Sequence, residues 1–257
     1  MADYTCTDSF RGATFRDCDL RDVRIVSSFV DGLVIRGFSG QAGPVLVDDV
    51  DVSGYVAAEL DRRYPERVRV REARSLAELR PAWAELSGLW DDTLARAAAL
   101  PEEVLQERVD GEWSFVETLR HLVFAVETWV GGWLRGEAAP FSPLGLPPTD
   151  LPLTEWPSIG LDPAARPTSA EAVELFADRR ARVDKVLDEL SEAELEEPRT
   201  AAPVPLWGEE THTVRACLRT VLQEACDHRR FAERDLAVLT ASRARQHVLT
   251  SGAHIGD

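Results

Sequence analysis

The sequence predicts a mainly α-helical chain in which a four-helix bundle follows a short solenoid. Three observations carry that reading: a period of five residues in the first forty, four amphipathic runs beyond residue 75 that each open on a helix-capping residue, and an ordinary globular composition. Hydrophobic residues make up 44% and charged residues 29% of the 257, which excludes a mainly disordered chain. Lys and Arg number 29 against 45 Asp and Glu, a formal net charge of −16. A generic binder of phosphate backbones needs a basic surface, so no nucleic-acid partner is expected. No apolar run approaches the roughly 18–20 residues of a bilayer-spanning helix, so no membrane partner is expected either. The amino-terminal MADYTCTDSF has neither the basic nor the apolar region of a secretory signal. The expected compartment is the cytoplasm. There Cys6, Cys18, Cys217 and Cys226, at no metal-ribbon or disulfide spacing, read as free thiols.

Residues 1–40 form the first segment. Phe10, Phe15, Leu20, Ile25, Val30 and Ile35 recur every five positions, with Ala13, Cys18, Val23 and Ser28 two positions before several of them. Five matches neither the 3.6 of a helix nor the 2 of a strand, but it suits a square solenoid with one inward apolar side chain per side. These residues resemble pentapeptide-repeat proteins, and that resemblance implies a right-handed quadrilateral β-helix over about residues 6–38. Six repeats make about one and a half coils, little for a continuous core.

Residues 41–74 connect. Gly40 to Pro44 is a breaker cluster, Val45, Val47 and Val50 alternate as in a short strand, and Gly54 to Arg63 reads as a helix ended by Pro65.

The bundle is expected over residues 75–241. Ser75-x-x-Glu78 is a capping box followed by Leu79, Trp83, Leu86, Trp90 and Leu94, although Pro81 could delay the regular helix. Ser114-x-x-Glu117 opens WSFVETLRHLVFAVETWVGGWL, which stops near Gly131–Gly136. Thr168-x-x-Glu171 opens a third helix reaching about Leu190, and Thr213 caps a fourth running to Ala241. Between the second and third lie about thirty proline-rich residues, a strap expected to pack Phe141 and Trp156 on the bundle or also to wall a pocket. The tail, 242–257, has no periodicity and is expected to fray.

Of five histidines, His247 and His254 fall in the tail and His212 suits a turn before the fourth helix. His228 lies on the apolar stripe of that helix, with Glu224 one turn before it, the two side chains about 40° apart. A carboxylate and an imidazole on an inward face need a partner. A divalent ion supplies one, and His121 on the second helix would complete an open three-ligand site. A simple ion pair of Glu224 with His228, beside a core His121, explains the same residues. Trp113, Trp129, Glu117, Arg230, Arg234 and Asp235 read as structural. Cys226 projects about 160° from the Glu224–His228 pair and is not counted as a ligand.

The segments DGEWSFVETLRHLVFAVETWV and RACLRTVLQEACDHRRFAERDLAVL resemble the DinB-like superfamily of metal-binding four-helix bundles, over roughly residues 75–240. Within it, the His…Glu-x-x-x-His arrangement is similar to the bundle domain of the mycothiol-dependent maleylpyruvate isomerases. That resemblance implies an up-down bundle with His121, Glu224 and His228 as ligands to a divalent metal, zinc first and nickel or iron as alternatives. Many relatives have histidine where Glu224 stands, and the isomerases carry a second, C-terminal domain in place of the segment that precedes the bundle here. The implied activity is a metal-dependent thiol transferase acting on an electrophilic small-molecule substrate, with no residue beyond the ligands as catalyst. Lys185 is the only lysine and asparagine is absent, a bias of GC-rich coding that makes mycothiol the first thiol co-substrate to test. A metal-dependent hydrolase, a non-catalytic metal-binding bundle and a DNA-mimicking gyrase binder are the alternatives. A homodimer is left open.

Overall fold

Capping chemistry sets the helix boundaries. A computed structural model describes residues 4, 7, 9–16, 18–36 and 43–252, with side chains through residue 245. The chain divides into two units, residues 1–41 and 42–257.

In the second unit a small hairpin, β1 (Leu46–Val47) and β2 (Val50–Asp51), leads into α1 (Ser53–Arg63) and α2 (Glu66–Glu72). The bundle follows: α3 (Leu76–Ala97), the single turn α4 (Glu102–Leu105), α5 (Phe115–Val126), α6 (Ser169–Glu189) and α7 (Val214–Gly252). All three expected capping boxes are formed, at Ser75/Glu78, Ser114/Glu117 and Thr168/Glu171. Thr213 Oγ1 accepts the Ala216 N–H at the start of α7. Pro81 sits inside α3 rather than at its start. Its missing N–H leaves the Ala77 carbonyl without its helical donor, and both residues are exposed, so water can serve that carbonyl.

The main contacts close a ring: α3 packs on α6 and α7, and α5 packs on α6 and α7. One core fills that ring, built from Leu79, Trp83, Leu86 and Trp90 of α3, Leu119 and Leu122 of α5, Phe176 and Val183 of α6, and Leu218 and Leu222 of α7. Each such side chain contributes about 1.5–3 kcal/mol by burial. The buried indoles keep their polar edges satisfied, Trp90 donating to the Ala225 carbonyl at 3.0 Å and Trp83 to Asp184 at 2.7 Å.

Three features depart from the sequence reading. The second helix continues past Val126 as a π-helical segment, Glu127–Leu134, where the expectation was plain α-helix. Its Gly131 and Gly132 let neighbouring chain come close: a Cβ at Gly132 would lie 2.4 Å from Pro203. An unforeseen antiparallel hairpin, β3 (Pro198–Ala201) with β4 (Glu210–Thr213), fills the connection from α6 to α7. Finally, α7 does not fray at residue 242 but runs to Gly252. Ala, Arg and Gln sustain helix where no apolar stripe is needed. Residues 253–257, with His254, and the His247 side chain lie outside the described parts.

The strap between the π-helical segment and α6 packs as expected. Phe141 and Trp156 join Phe124, Leu146, Leu151, Leu161 and Val204 in a second, smaller apolar cluster.

The first unit is a series of turns. Ala13, Val23 and Leu33 donate to the carbonyls of Phe10, Leu20 and Val30, so the turns recur every ten residues. The third position of each is left-handed, at Gly12, Asp22 and Gly32. The right-handed quadrilateral β-helix is not shown: no strand occurs among the described residues of this unit. The five-residue series does not form a buried row either, since Phe10, Phe15, Leu20, Ile25, Val30 and Ile35 are all exposed. So short a series has too few layers to cover its own apolar side chains. Cys18 is exposed, Cys217 and Cys226 are buried, and all three are free thiols, while Cys6 is outside the described residues.

Candidate metal centre

Two helices bring the three candidate ligands together. α5 is apolar on nearly every side because it lies between α6, α7 and the strap, which buries His121 to 7% exposure. On α7, Glu224 and His228 are one turn apart and so share a face. His121 Nε2 lies 3.5 Å from Glu224 Oε2, and His228 Nε2 lies 3.2 Å from the same oxygen. Donor atoms of all three fall within 4.8 Å of one another. The Glu224 side chain is 34% exposed, so this side of the cluster faces solvent.

His121 Nδ1 is 3.0 Å from the Leu146 carbonyl oxygen of the strap. A carbonyl only accepts, so Nδ1 carries the proton and donates it, and the Nε2 lone pair of the neutral ring turns toward Glu224. Burial dominates the His121 imidazole and holds its pKa below the ordinary histidine value, favouring that neutral ring. Burial pushes the Glu224 carboxyl up, but hydrogen bonding and charge from an imidazolium at His121 or His228 outweigh it and hold the carboxyl well below the usual range. Glu224 is therefore ionised. His228 can donate to it from Nε2. His121 can do so only as the imidazolium that burial opposes, so without a cation two acceptors face each other at 3.5 Å. Two imidazole nitrogens and a carboxylate, with one side open, are a donor set that could hold a divalent ion.

Aromatic rings surround the cluster. The Trp113 ring lies 4.5 Å from that of His121 and 5.8 Å from that of His228, and Phe231 meets His228 edge-on at 5.8 Å. Trp113 is half-buried against the two imidazoles and the strap cluster, so it belongs to the site and not only to the core. Nothing in its spacing signalled this, because it precedes α5 and follows no helical period.

The other polar candidates take structural roles. Glu117 caps Ser114 and pairs with Arg108. Arg234 pairs with Asp235 and with Glu112, while Arg230 lies over the Phe231 ring. His212 is on β4, bonded to Glu210 and packed edge-on against Trp129 and Trp133. Cys226 is in the main core and does not join the triad.

The fold and site together define a helical bundle with a candidate metal centre on its α5 and α7 helices. The chain belongs to the DinB superfamily, whose family model matches residues 85–232 and so spans all three candidate ligands. A solved structure of a protein from Streptococcus pneumoniae is 17% identical and aligns over 63% of this chain and 90% of its own length, with a TM-score of 0.43. No curated protein matches the chain. Among the described residues no helix is long and apolar enough to cross a membrane.

Proposed function

We propose that the chain is a metal-dependent thiol transferase that binds a low-molecular-weight thiol and delivers it to an electrophilic small molecule. One observation carries the reading: His121, with its proton committed to Leu146, turns a lone pair on the Glu224 carboxylate, an arrangement whose repulsion a divalent cation held by these residues would relieve. Zinc is the first candidate, with nickel and iron as alternatives, because imidazole and carboxylate suit all three. A bound ion of this kind supplies Lewis acidity, lowering the pKa of a coordinated thiol or water.

The chain's own residues do the rest. Leu146 fixes the His121 tautomer, Glu224 presents its oxygen to both imidazoles, and Trp113 and Phe231 pack against the imidazole rings. Neither thiol of the core serves as the nucleophile, since burial pushes both Cys217 and Cys226 up to about 12. The thiol in this reading comes from solution, and the compositional bias against lysine and asparagine makes mycothiol the first to try.

The test is metal analysis of protein purified without chelator or affinity-column metal, followed by a screen of thiols against electrophiles. The expected result is one equivalent of metal and product that requires thiol. Product formed in water alone would replace the transferase with a hydrolase built from the same residues. Protein that holds no divalent ion would overturn both.

A further inference from the structure

We propose that Trp113 is a positioning residue of the metal centre, an inference that rests on the metal-binding reading above. Among the described residues it is the one aromatic side chain whose ring meets both imidazoles, at 4.5 Å and 37° to His121 and at 5.8 Å and 25° to His228. The two histidines need it unequally. His121 is oriented by the Leu146 carbonyl, whereas His228 has only the Glu224 carboxylate at Nε2 and no such bond at Nδ1 among the described residues. Its ring packs against the tilted His121 ring at 4.7 Å, the nearly parallel face of Trp113 and, at a steep angle, Phe231. An imidazole free to swing about its last torsion meets the ion in the right orientation only part of the time.

The placement of Trp113 is built, not incidental. Asp110 and Gly111 both take left-handed backbone angles, φ 51° and 72°, turning the chain sharply just before the α5 cap. Glu112 then pairs with Arg234 of α7, and Ser114 caps α5. The indole is thus held from one side by the helix that carries His121 and from the other by the helix that carries Glu224 and His228. It couples ligands that come from different elements, as outer-shell partners of metal ligands do.

The experiment is a competition titration of zinc and of cobalt into wild-type protein, W113F and W113L, with the metal-free melting temperature of each. Phenylalanine keeps a ring face against the imidazoles; leucine keeps apolar bulk without one. W113L is expected to weaken metal binding by about tenfold or more and to alter the cobalt absorption bands, with W113F close to wild type in both. Should W113L fail to fold, W113M carries the same comparison. Wild-type affinity in W113L overturns the proposal. So does equal weakening in W113F and W113L that tracks an equal fall in metal-free melting temperature, which would be packing alone. Failure of the wild-type protein to bind either metal removes the metal centre itself, whereas binding by the wild type with no difference in W113L removes only the role of Trp113.

Discussion

At the scale of single residues, the arrangement predicts unequal costs for losing each ligand. An ion that binds only the folded chain stabilises it, by about 2.7 kcal/mol at a hundredfold excess over Kd. His228→Ala should abolish metal retention and lower the melting temperature most, because it leaves the Glu224 carboxylate without its nearer imidazole. His121→Ala should also abolish retention and free the Leu146 carbonyl. Glu224→Gln should weaken retention less, since an amide keeps the shape and an oxygen donor. Cys226→Ala should leave metal content unchanged. Metal stoichiometry and melting curves, with and without chelator, check the series; a histidine variant that loses stability but keeps its metal would mark a core residue and not a ligand. The triad was legible because Glu224 and His228 share a helix stripe and because an inward carboxylate asks for a partner. What orients it was not. The Leu146 carbonyl carries no residue-specific signal, and Trp113 reaches the site by a left-handed turn that no periodicity records.

At the scale of elements, capping boxes and apolar stripes located the four long helices, since those signals are local. The π-helical segment and the β3–β4 hairpin escaped because tertiary contacts decide them, such as Pro203 lying on the bare Cα of Gly132. The far end of α7 escaped for the opposite reason: apolar periodicity reports burial, and a helix can outrun its buried face. One residue of the π-helical segment also ties the strap to the bundle. Glu127 is fully buried, accepts the Ser142 N–H at 3.0 Å and pairs with Arg179 at 2.7 Å. Burial pushes its carboxyl up, against the opposing pull of Ser142 and Arg179. Glu127→Ala removes both contacts and leaves the Arg179 cation with the exposed Asp178 as its remaining partner, so it should destabilise the metal-free protein by about 3 kcal/mol in urea unfolding. Glu127→Gln keeps an acceptor for Ser142 and should lose clearly less. Because Ser142 lies four residues before Leu146, freeing the strap should also weaken metal binding in Glu127→Ala. Equal stability of the two variants would show that the strap is held by its apolar cluster alone.

At the scale of the whole molecule, the acidic charge and the five-residue period point to different parts of the chain. Residues 1–41 hold six aspartates against five arginines, a net of −1, so nearly all of the −16 belongs to the second unit. A DNA-mimicking solenoid would need the charge on its own coils, which argues against the gyrase-binding alternative. Everything the metal centre uses is likewise in the second unit: the three ligands, Trp113, Leu146, Glu127 and both apolar clusters. The family match at 85–232 falls within it as well. A fragment of residues 42–257 should therefore unfold cooperatively and bind metal with the stoichiometry and affinity of the full chain. Titration of both proteins side by side, with circular dichroism melting, checks this. A fragment that loses its metal or melts without a cooperative transition would mean that the turn-rich first unit supplies part of the bundle's stability.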